Sequence, residues 1–315
     1  MFQTILVPLD GSPFSEHALP LAVSVARKAQ ARLHLVCVHV PLSEAHPEFL
    51  PYLGTDELLN TKLKAQHREY LERVSERLRK ESDVPVSWAL SEGAVADTIE
   101  AHVAKDKIDL VVMTTHGRGP IARFWLGSVA DELVRRLTVP MLLVRPQEGE
   151  VTFQSLPEWK RILIPLDGSD FAEQISNPAV DLGKLFGAEY VLLRVVKPIL
   201  PSQFAFQGSF AGEAVQLSMD RIEQYQKEAA EAARQYLKNV AEQIEKQAVK
   251  VEMVVAFGEH PATVILEECK DRNCDLIAIQ THGRRGLSRL FLGSVADKVI
   301  RGASVPVLVR RPKPE

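Results

Sequence analysis

The sequence predicts an α/β protein made of two tandem open, mostly parallel five-stranded sheets with helices on both faces. Two observations predict this Rossmann-like class. Short apolar runs, continuous rather than alternating, are separated by segments with helical spacing, which is typical of parallel strands covered on both faces. The same order of segments occurs twice along the 315 residues. A repeat of this length is a whole domain rather than a solenoid unit.

Two pairs of matching segments carry the repeat. Residues 5–12, ILVPLDGS, return at 162–169 as ILIPLDGS, and the phrase THGR followed later by GSVAD begins at Thr115 and again at Thr281. The first pair is offset by 157 residues (167 − 10) and the second by 166 (283 − 117), so the second half holds nine extra residues. We assign them to a loop at 200–212, which either folds over a ligand or packs on the partner domain. The expected division is domain one at 1–146, a linker at 147–159 and domain two at 160–312.

The elements follow in order from the apolar runs and the helical spacing. In the first half we predict strands at 4–9, 32–40, 85–90, 110–114 and 141–144, and helices at 15–29, 56–80, 94–105 and 128–137. In the second half we predict strands at 161–166, 190–196, 250–256, 276–280 and 307–309, with one long helix at 214–247. Right-handed crossovers then place helices on both faces of each sheet.

Composition and charge narrow the class of protein without naming a partner. The chain is 46% hydrophobic and 25% charged with a formal net charge of −3, which gives no overall reason to expect nucleic acid or an anionic membrane. It opens directly into a strand pattern, so we expect a cytoplasmic protein. Its three cysteines, Cys37, Cys269 and Cys274, form no CxxC pair, and we expect buried or half-buried thiols rather than a zinc site or disulfides.

The chemistry-bearing residues follow two strands in each half. Asp10 and Asp167 end the first strand of their halves, and the glycine phrase follows the fourth. Ligands of open parallel sheets bind beyond the carboxyl ends of the strands, where the strand order reverses. If strands one and four are neighbours across that reversal, carboxylate and glycine loop face one crevice, and this crevice is expected to hold a nucleotide.

The start of the fourth helix is the predicted phosphate seat, because backbone amides there carry partial positive charge and glycine permits close approach. The amides in question belong to Gly127, Ser128 and Val129 and to their counterparts Gly293, Ser294 and Val295. Asp10 and Asp167 are placed at the ribose hydroxyls, or at a water or metal ion shared with phosphate. The alternatives are structural: Asp-Gly-Ser caps the next helix, and Gly-Ser starts one.

The glycine loops also carry histidines and arginines. His116 and His282 occupy the same slot in each repeat and are either turn residues bonded to backbone or general bases. The loop arginines either clamp terminal phosphates or are solvated; they are Arg118, Arg123, Arg284, Arg285 and Arg289.

These residues resemble the universal stress protein family, over nearly all of the chain and as two tandem copies. Nucleotide-binding members carry glycine, two residues, glycine, nine residues, glycine and then serine or threonine. Here Gly117 and Gly127, or Gly283 and Gly293, supply the second and third glycines, while Thr114 and Gln280 replace the first. A side chain at that position crowds or re-aims the ribose and first phosphate.

The resemblance implies an adenine nucleotide alpha hydrolase-like fold and ATP as the ligand, with Mg²⁺ or Mn²⁺ on the phosphates and no direct protein ligand to the metal. It also implies dimers in which the last strands pair edge to edge, which a tandem chain satisfies internally as a pseudo-dimer; homodimers and unknown protein partners remain open. The implied nucleotide-binding residues beyond the phosphate seat are Pro8, Leu9, Asp10, Val40, Met113 and Thr114 in the first half and Pro165, Leu166, Asp167, Val195 and Gln280 in the second.

Three functional classes follow. The first is an ATP-binding stress-response or regulatory module with slow or no hydrolysis and no dedicated catalytic residues. The second is an enzyme of ATP pyrophosphatase or adenylyltransferase type, although no Gly-x4-Gly-Lys-Ser/Thr loop is present. The third is a scaffold with degenerate sites, which Thr114 and Gln280 keep in consideration.

Overall fold

A computed structural model describes residues 2–41, 57–115, 126–146, 149–153, 156–199, 213–281 and 292–311. The predicted loop at 200–212 lies outside them. The strands are β1 Thr4–Leu9, β2 Arg32–His39, β3 Val86–Glu92, β4 Leu110–Thr114, β5 Met141–Val144, β6 Arg161–Pro165, β7 Glu189–Val196, β8 Val251–Phe257, β9 Leu276–Gln280 and β10 Val307–Arg310. The helices are α1 Pro13–Glu16, α2 Leu19–Ala29, α3 Glu57–Glu81, α4 Val95–Lys105, α5 Ser128–Arg136, α6 Asp170–Glu173, α7 Ser176–Lys184, α8 Glu213–Glu245, α9 Pro261–Asp271 and α10 Ser294–Gly302.

The ten strands form one sheet in the order β3-β2-β1-β4-β5-β10-β9-β6-β7-β8. All pairs within each half are parallel, so each half is the predicted open five-stranded unit. The mostly parallel α/β class is confirmed. In both halves the chain winds outward from the first strand to the third and then returns to place the fourth on the other side of the first. The order therefore reverses between β1 and β4, and again between β6 and β9.

The two halves join through the only antiparallel pair described, β5 with β10. Leu142 lies opposite Leu308, and both side chains are fully buried. This is the internal edge-to-edge pairing expected from the family resemblance. It covers two edges that would otherwise expose unpaired backbone groups.

The prediction of one continuous helix at 15–29 is wrong. The structure has a short α1 capped by Ser12, then a break at residues 17–18, and then α2. Pro20 explains the break, because proline has no N–H to donate to the carbonyl four residues earlier and its ring crowds that carbonyl. In α2 it sits in the first turn, where a missing N–H has no consequence.

Two apolar clusters cover the two faces of the sheet, and each contains residues from both halves. The segment joining the halves packs into one of them: Trp159 is buried and meets the Phe186 ring edge-on at 4.6 Å between centroids. The Ser24 hydroxyl donates to the carbonyl of Pro157 at 2.5 Å. The predicted linker is therefore attached to the domains at particular residues, among them Pro157 and the buried Phe153 and Trp159.

We predict that Leu142→Ala and Leu308→Ala each lower the free energy of unfolding by about 2–5 kcal/mol, the usual cost of emptying a buried leucine site. Because the two side chains face each other across the junction, the double variant should depart from additivity by about 0.5 kcal/mol or more. Urea unfolding of the four proteins measures both quantities. Leu58→Ala, at a site 66% exposed, is the control with little effect, and strict additivity would contradict the pairing.

Candidate functional site

Neighbouring strands stop pairing early where the strand order reverses. Register between β1 and β4 covers only two positions, whereas β1 and β2 stay paired over six. The corresponding strands of the second half also pair over two positions. There the amide of Leu166 donates to Leu193 of β7, so the preceding Pro165 faces β9 with no N–H to give. The proline of the repeated ILVPLD segment thus helps to end the ladder and open a crevice.

In the first half this crevice is a cavity of ≈ 650 Å³ at the carboxyl ends of β1, β2 and β4. The structure brings nine predicted residues to its wall, namely Pro8, Leu9, Asp10, Val40, Met113, Thr114, Gly127, Ser128 and Val129. One side is apolar, formed by valines of β2 and by Val95 and Ile99 of α4. The opposite side is the first turn of α5. The cavity therefore has an apolar end and an amide end, within the usual size of a small-molecule site.

The amide end is built by the start of α5. Gly127 is the N-cap: its N–H donates to the carbonyl of Thr115 at 2.7 Å, and its carbonyl accepts from Asp131 at 2.9 Å. Within the described residues, no side chain caps this helix. The first amides of an α-helix have no intrahelical acceptor. Those of Ser128 and Val129 lie at the cavity wall, which makes this turn a suitable seat for an anion.

Gly127 has φ −60°, an angle that any residue adopts. Its backbone conformation therefore does not require glycine. What distinguishes Gly127 is the missing Cβ, which leaves the amides of the first turn open to close approach. Gly293, the N-cap of α10, has the same φ of −60° and donates to Thr281 at 2.8 Å.

Asp10 does what the structural alternative expected, because its Oδ1 accepts from the amide and the hydroxyl of Ser12 at 2.9 and 2.6 Å. Ser12 in turn caps α1. Gly11 between them has φ +84°, a left-handed conformation that favours glycine. The capping turn holds the Asp10 carboxylate at the cavity wall. Capping and ligand binding are therefore compatible roles for this residue.

The second half repeats the turn and the helix start but differs along its strands. Asp167 Oδ1 accepts from the amide and hydroxyl of Ser169 at 3.0 and 2.5 Å. Gln280 ends β9 where Thr114 ends β4, and its side-chain amide is buried without a hydrogen-bond partner among the described residues. Burying a carboxamide without a hydrogen bond costs free energy.

Strand register shows which positions correspond. Pro8 pairs with Val36 and Pro165 with Leu193, so Val195 is the counterpart of Val38 rather than of Val40. Val38 and Val40 both line the first cavity. By the same register, the counterpart of Val40 is Lys197. One of the two apolar positions in the first half is therefore charged in the second.

Two histidines at the first cavity were missed by sequence reasoning. His39 ends β2 and His67 lies on α3, with ring centroids 5.5 Å apart in an edge-on arrangement. Leu63 and His67 are four residues apart on one face of α3, and that spacing was the available signal for a helix facing the cavity. His39 gave no signal, because a histidine inside an apolar run is read as part of the strand.

Several predicted positions lie outside the described residues. They are Gly117, Gly283, His116, His282 and the five loop arginines. The described flanks, Thr115 and Thr281, accept hydrogen bonds from Gly127 and Gly293. In the first half, both flanks lie at the cavity wall.

A family model, described as the universal stress protein family, matches residues 1–145 and again 158–311. The chain belongs to this family. It therefore carries two tandem universal stress protein domains, which confirms the resemblance drawn from the glycine phrases.

Individual relatives agree. The chain is 36% identical over 158 residues to a universal stress protein of Methanocaldococcus jannaschii, covering 50% of this chain and 85% of the relative. It is 27% identical to one from Mycolicibacterium smegmatis, covering 98% and 97%. Among solved structures, a universal stress protein from Archaeoglobus fulgidus has a TM-score of 0.68 at 18% identity, with 98% of each chain covered. That likeness establishes the shared fold over both halves.

Two further expectations concern compartment and thiols. Among the described helices, none combines the length and apolar character needed to cross a bilayer. Cys37, Cys269 and Cys274 are all buried, as expected.

Burial lowers the pKa of His39, one of the two cavity histidines. The pKa of His39 lies below its ordinary value of 6.5, chiefly because burial penalises the charged ring and secondly because Lys64 is near. Burial lowers the pKa of His17 and His34 as well. The unfolded chain then takes up protons near pH 6.5 that the folded chain resists, so stability is full above that pH and is lost as pH falls below it.

We predict that the free energy of unfolding decreases between pH 7.5 and pH 5.5, and that His39→Val makes this decrease smaller. Valine is the residue at the corresponding position of the second half, Val196, and suits a buried strand. Urea unfolding at four pH values measures the slope, with His260→Val, at an exposed helix N-cap, as the control. An unaltered slope in His39→Val would show that this ring is not one of the responsible groups.

Proposed function

We propose that the chain is an ATP-binding regulatory module of the stress response, in which nucleotide occupancy changes interactions with other proteins. The observation that carries this proposal is the first-half cavity, which has apolar walls at one end and uncapped helix amides at the other. ATP has the matching polarity, with an aromatic base at one end and phosphates at the other. Adenine is assigned to the side of Val38 and Val40, and the phosphates to the first turn of α5.

Asp10 lies at the same wall. A carboxylate repels phosphate, so its proposed partners are the ribose hydroxyls or water held by a Mg²⁺ or Mn²⁺ ion on the phosphates. The residues present fit such an ion as an outer-sphere neighbour, since one carboxylate that is partly engaged in a helix cap does not form a complete cage. We therefore propose no direct protein ligand to that metal.

Slow or absent hydrolysis is part of the proposal. Among the described residues of the cavity wall there is no lysine or arginine. Enzymes that transfer phosphoryl groups rely on such cations, with metal ions, to stabilise the charge of the transition state. A seat made chiefly of backbone amides is suited to holding the nucleotide, and holding is what a switch requires.

The first half is proposed as the principal seat. Its cavity wall at the end of β4 is Thr114, a small side chain. The second half has the bulkier Gln280 there and Lys197 in place of Val40. These two differences favour the interpretation that the second half, and not the first, has a degenerate site.

We predict that ATP with Mg²⁺ raises the melting temperature by several degrees when held at about one hundred times its dissociation constant. Binding of that strength contributes about 2.7 kcal/mol to the native state, which corresponds to such a shift in a chain of this size. AMP, which lacks the outer phosphates, should give a smaller shift. Differential scanning fluorimetry measures both shifts in melting temperature. A phosphate-release assay on the same protein should detect far fewer than several turnovers per minute.

Gly127→Glu places a carboxylate at the phosphate seat and should remove most of the ATP shift. His260→Glu puts the same side chain at the N-cap of α9, outside the proposed seat, and should retain it. No shift at millimolar ATP in the unaltered chain would favour the scaffold reading, and rapid multiple-turnover phosphate release would favour the enzyme reading.

We predict that exchanging the strand-end residues exchanges the affinities of the two halves. Thr114→Gln should weaken ATP binding about tenfold or more, because a carboxamide with a buried polar end then occupies the open crevice. Gln280→Thr should strengthen binding at the second half, seen as a second equivalent of ATP in calorimetric titration. If both variants bind as the unaltered chain does, the strand-end residue does not decide which half is occupied.

A further inference from the structure

Three potential ligands for a metal ion meet in the first half, outside the crevice. His34 comes from β2, His102 from α4, and Asp106 is the C-cap of α4. Their ligand atoms all lie within 4.8 Å of one another. His102 Nδ1 is 2.9 Å from Asp106 Oδ2, and His34 Nε2 is 3.6 Å from the same oxygen. The side chains of His34 and His102 are only 14% and 13% exposed.

Both imidazoles are oriented by serine hydroxyls of β3. His34 Nδ1 contacts Ser87 Oγ at 3.0 Å, and His102 Nε2 contacts Ser91 Oγ at 2.9 Å. In each case the hydroxyl holds the ring nitrogen that points away from the cluster. Metal-binding histidines are commonly held through the second nitrogen in this manner, which fixes the tautomer and the ring direction.

The nitrogen that faces the cluster is the unusual one. His34 Nε2 is buried with no hydrogen-bond partner among the described residues. This nitrogen lies 3.6 Å from Asp106 Oδ2, so it faces the carboxylate at a distance too long for a hydrogen bond.

The corresponding positions of the second half carry other side chains, and their charged groups form ion pairs. Register makes Val191 the counterpart of His34, and the matching C-caps make Arg272 and Glu268 the counterparts of Asp106 and His102. Arg272 Nε pairs with Glu268 Oε2 at 2.7 Å and also pairs with Glu252, the counterpart of Ser87. There the charges pair with one another, and among the described residues these positions belong to no group of three potential metal ligands. The fold therefore does not require the histidine cluster of the first half.

We propose that His34, His102 and Asp106 form a binding site for a zinc-class divalent cation, present in the first half only. Two imidazoles and one carboxylate suit zinc and its late first-row neighbours, with water completing the coordination. Ligands 2.0–2.1 Å from a tetrahedral zinc are about 3.3 Å apart. The 2.9 Å and 3.6 Å separations from Asp106 lie on either side of this value, and all three ligand atoms lie within 4.8 Å of one another, so small side-chain adjustments admit the ion.

Access and neighbouring charge are consistent with an exchangeable ion. His102 lines an open surface cavity together with Ser91 and Lys105, which provides an entry path. Lys105 and Arg32 place positive charge near His34 and weaken the attraction for a cation. The site also shares α4 with the crevice, since Ile99 at the cavity wall lies one turn before His102.

The test is zinc binding by the full chain without nucleotide. Equilibrium dialysis against ZnCl₂, with metal quantified by mass spectrometry, should give about one Zn²⁺ per chain. Titration with Co²⁺ should give a visible d–d absorption band of low-symmetry coordination. Asp106→Asn and His34→Ala should each weaken Zn²⁺ binding at least tenfold and remove the band. Asp106→Asn is nearly isosteric at a partly exposed position, and circular dichroism verifies that both variants are folded.

Two controls make the result specific. His260→Ala removes an exposed histidine elsewhere, and His39→Val removes one of the pair at the nucleotide cavity; both should bind zinc as the unaltered chain does. Absence of stoichiometric Zn²⁺ in the unaltered chain would overturn the proposal. Equal zinc binding by Asp106→Asn and His34→Ala, or its loss in His39→Val, would also overturn it by locating the metal elsewhere.

Discussion

The structure of each half depends on the hydrogen-bonded pairing between its first and fourth strands, which ends early. β1 and β4 are neighbours, yet their register ends after Leu6 opposite Val111, while β1 continues beside β2 to its last residue. Strand order reverses at this point, so the connections that follow the two strands leave in opposite directions. The proline near the end of the first strand of each repeat, Pro8 or Pro165, removes a donor that continued pairing would use. The crevice is thus a consequence of topology and of one missing N–H group.

Both halves keep the short pairing between the first and fourth strands, but other features differ between them. The capping turns at Asp10 and Asp167 have nearly the same geometry, and α5 and α10 begin with glycines at the same angle. These features are held by backbone geometry and are costly to change. Side chains that only line the crevice have diverged, as Thr114 and Gln280 show. One half can therefore keep a ligand seat while the other retains the fold.

The joining of the halves supports this division. The antiparallel pairing of β5 with β10 extends the apolar layers on both faces of the sheet from one half into the other. The histidine cluster and the crevice lie within one half, and both include residues of α4, namely His102 and Ile99.

Sequence alone determined the repeat, the order of strands and helices along each half and most element bounds, because continuous apolar runs and glycine phrases are local signals of buried parallel strands and helix starts. It also identified nine residues that meet at the first cavity. It predicted one continuous helix at 15–29 and missed the break at residues 17–18. It also missed the positions of His39 and His67 at the cavity, because the neighbours of these histidines come from distant segments. Only the tertiary structure decided that Val38 corresponds to Val195, that Gln280 is enclosed, and that His34 meets Asp106. Those facts depend on strand register and helix packing, which bring together residues that no local pattern relates.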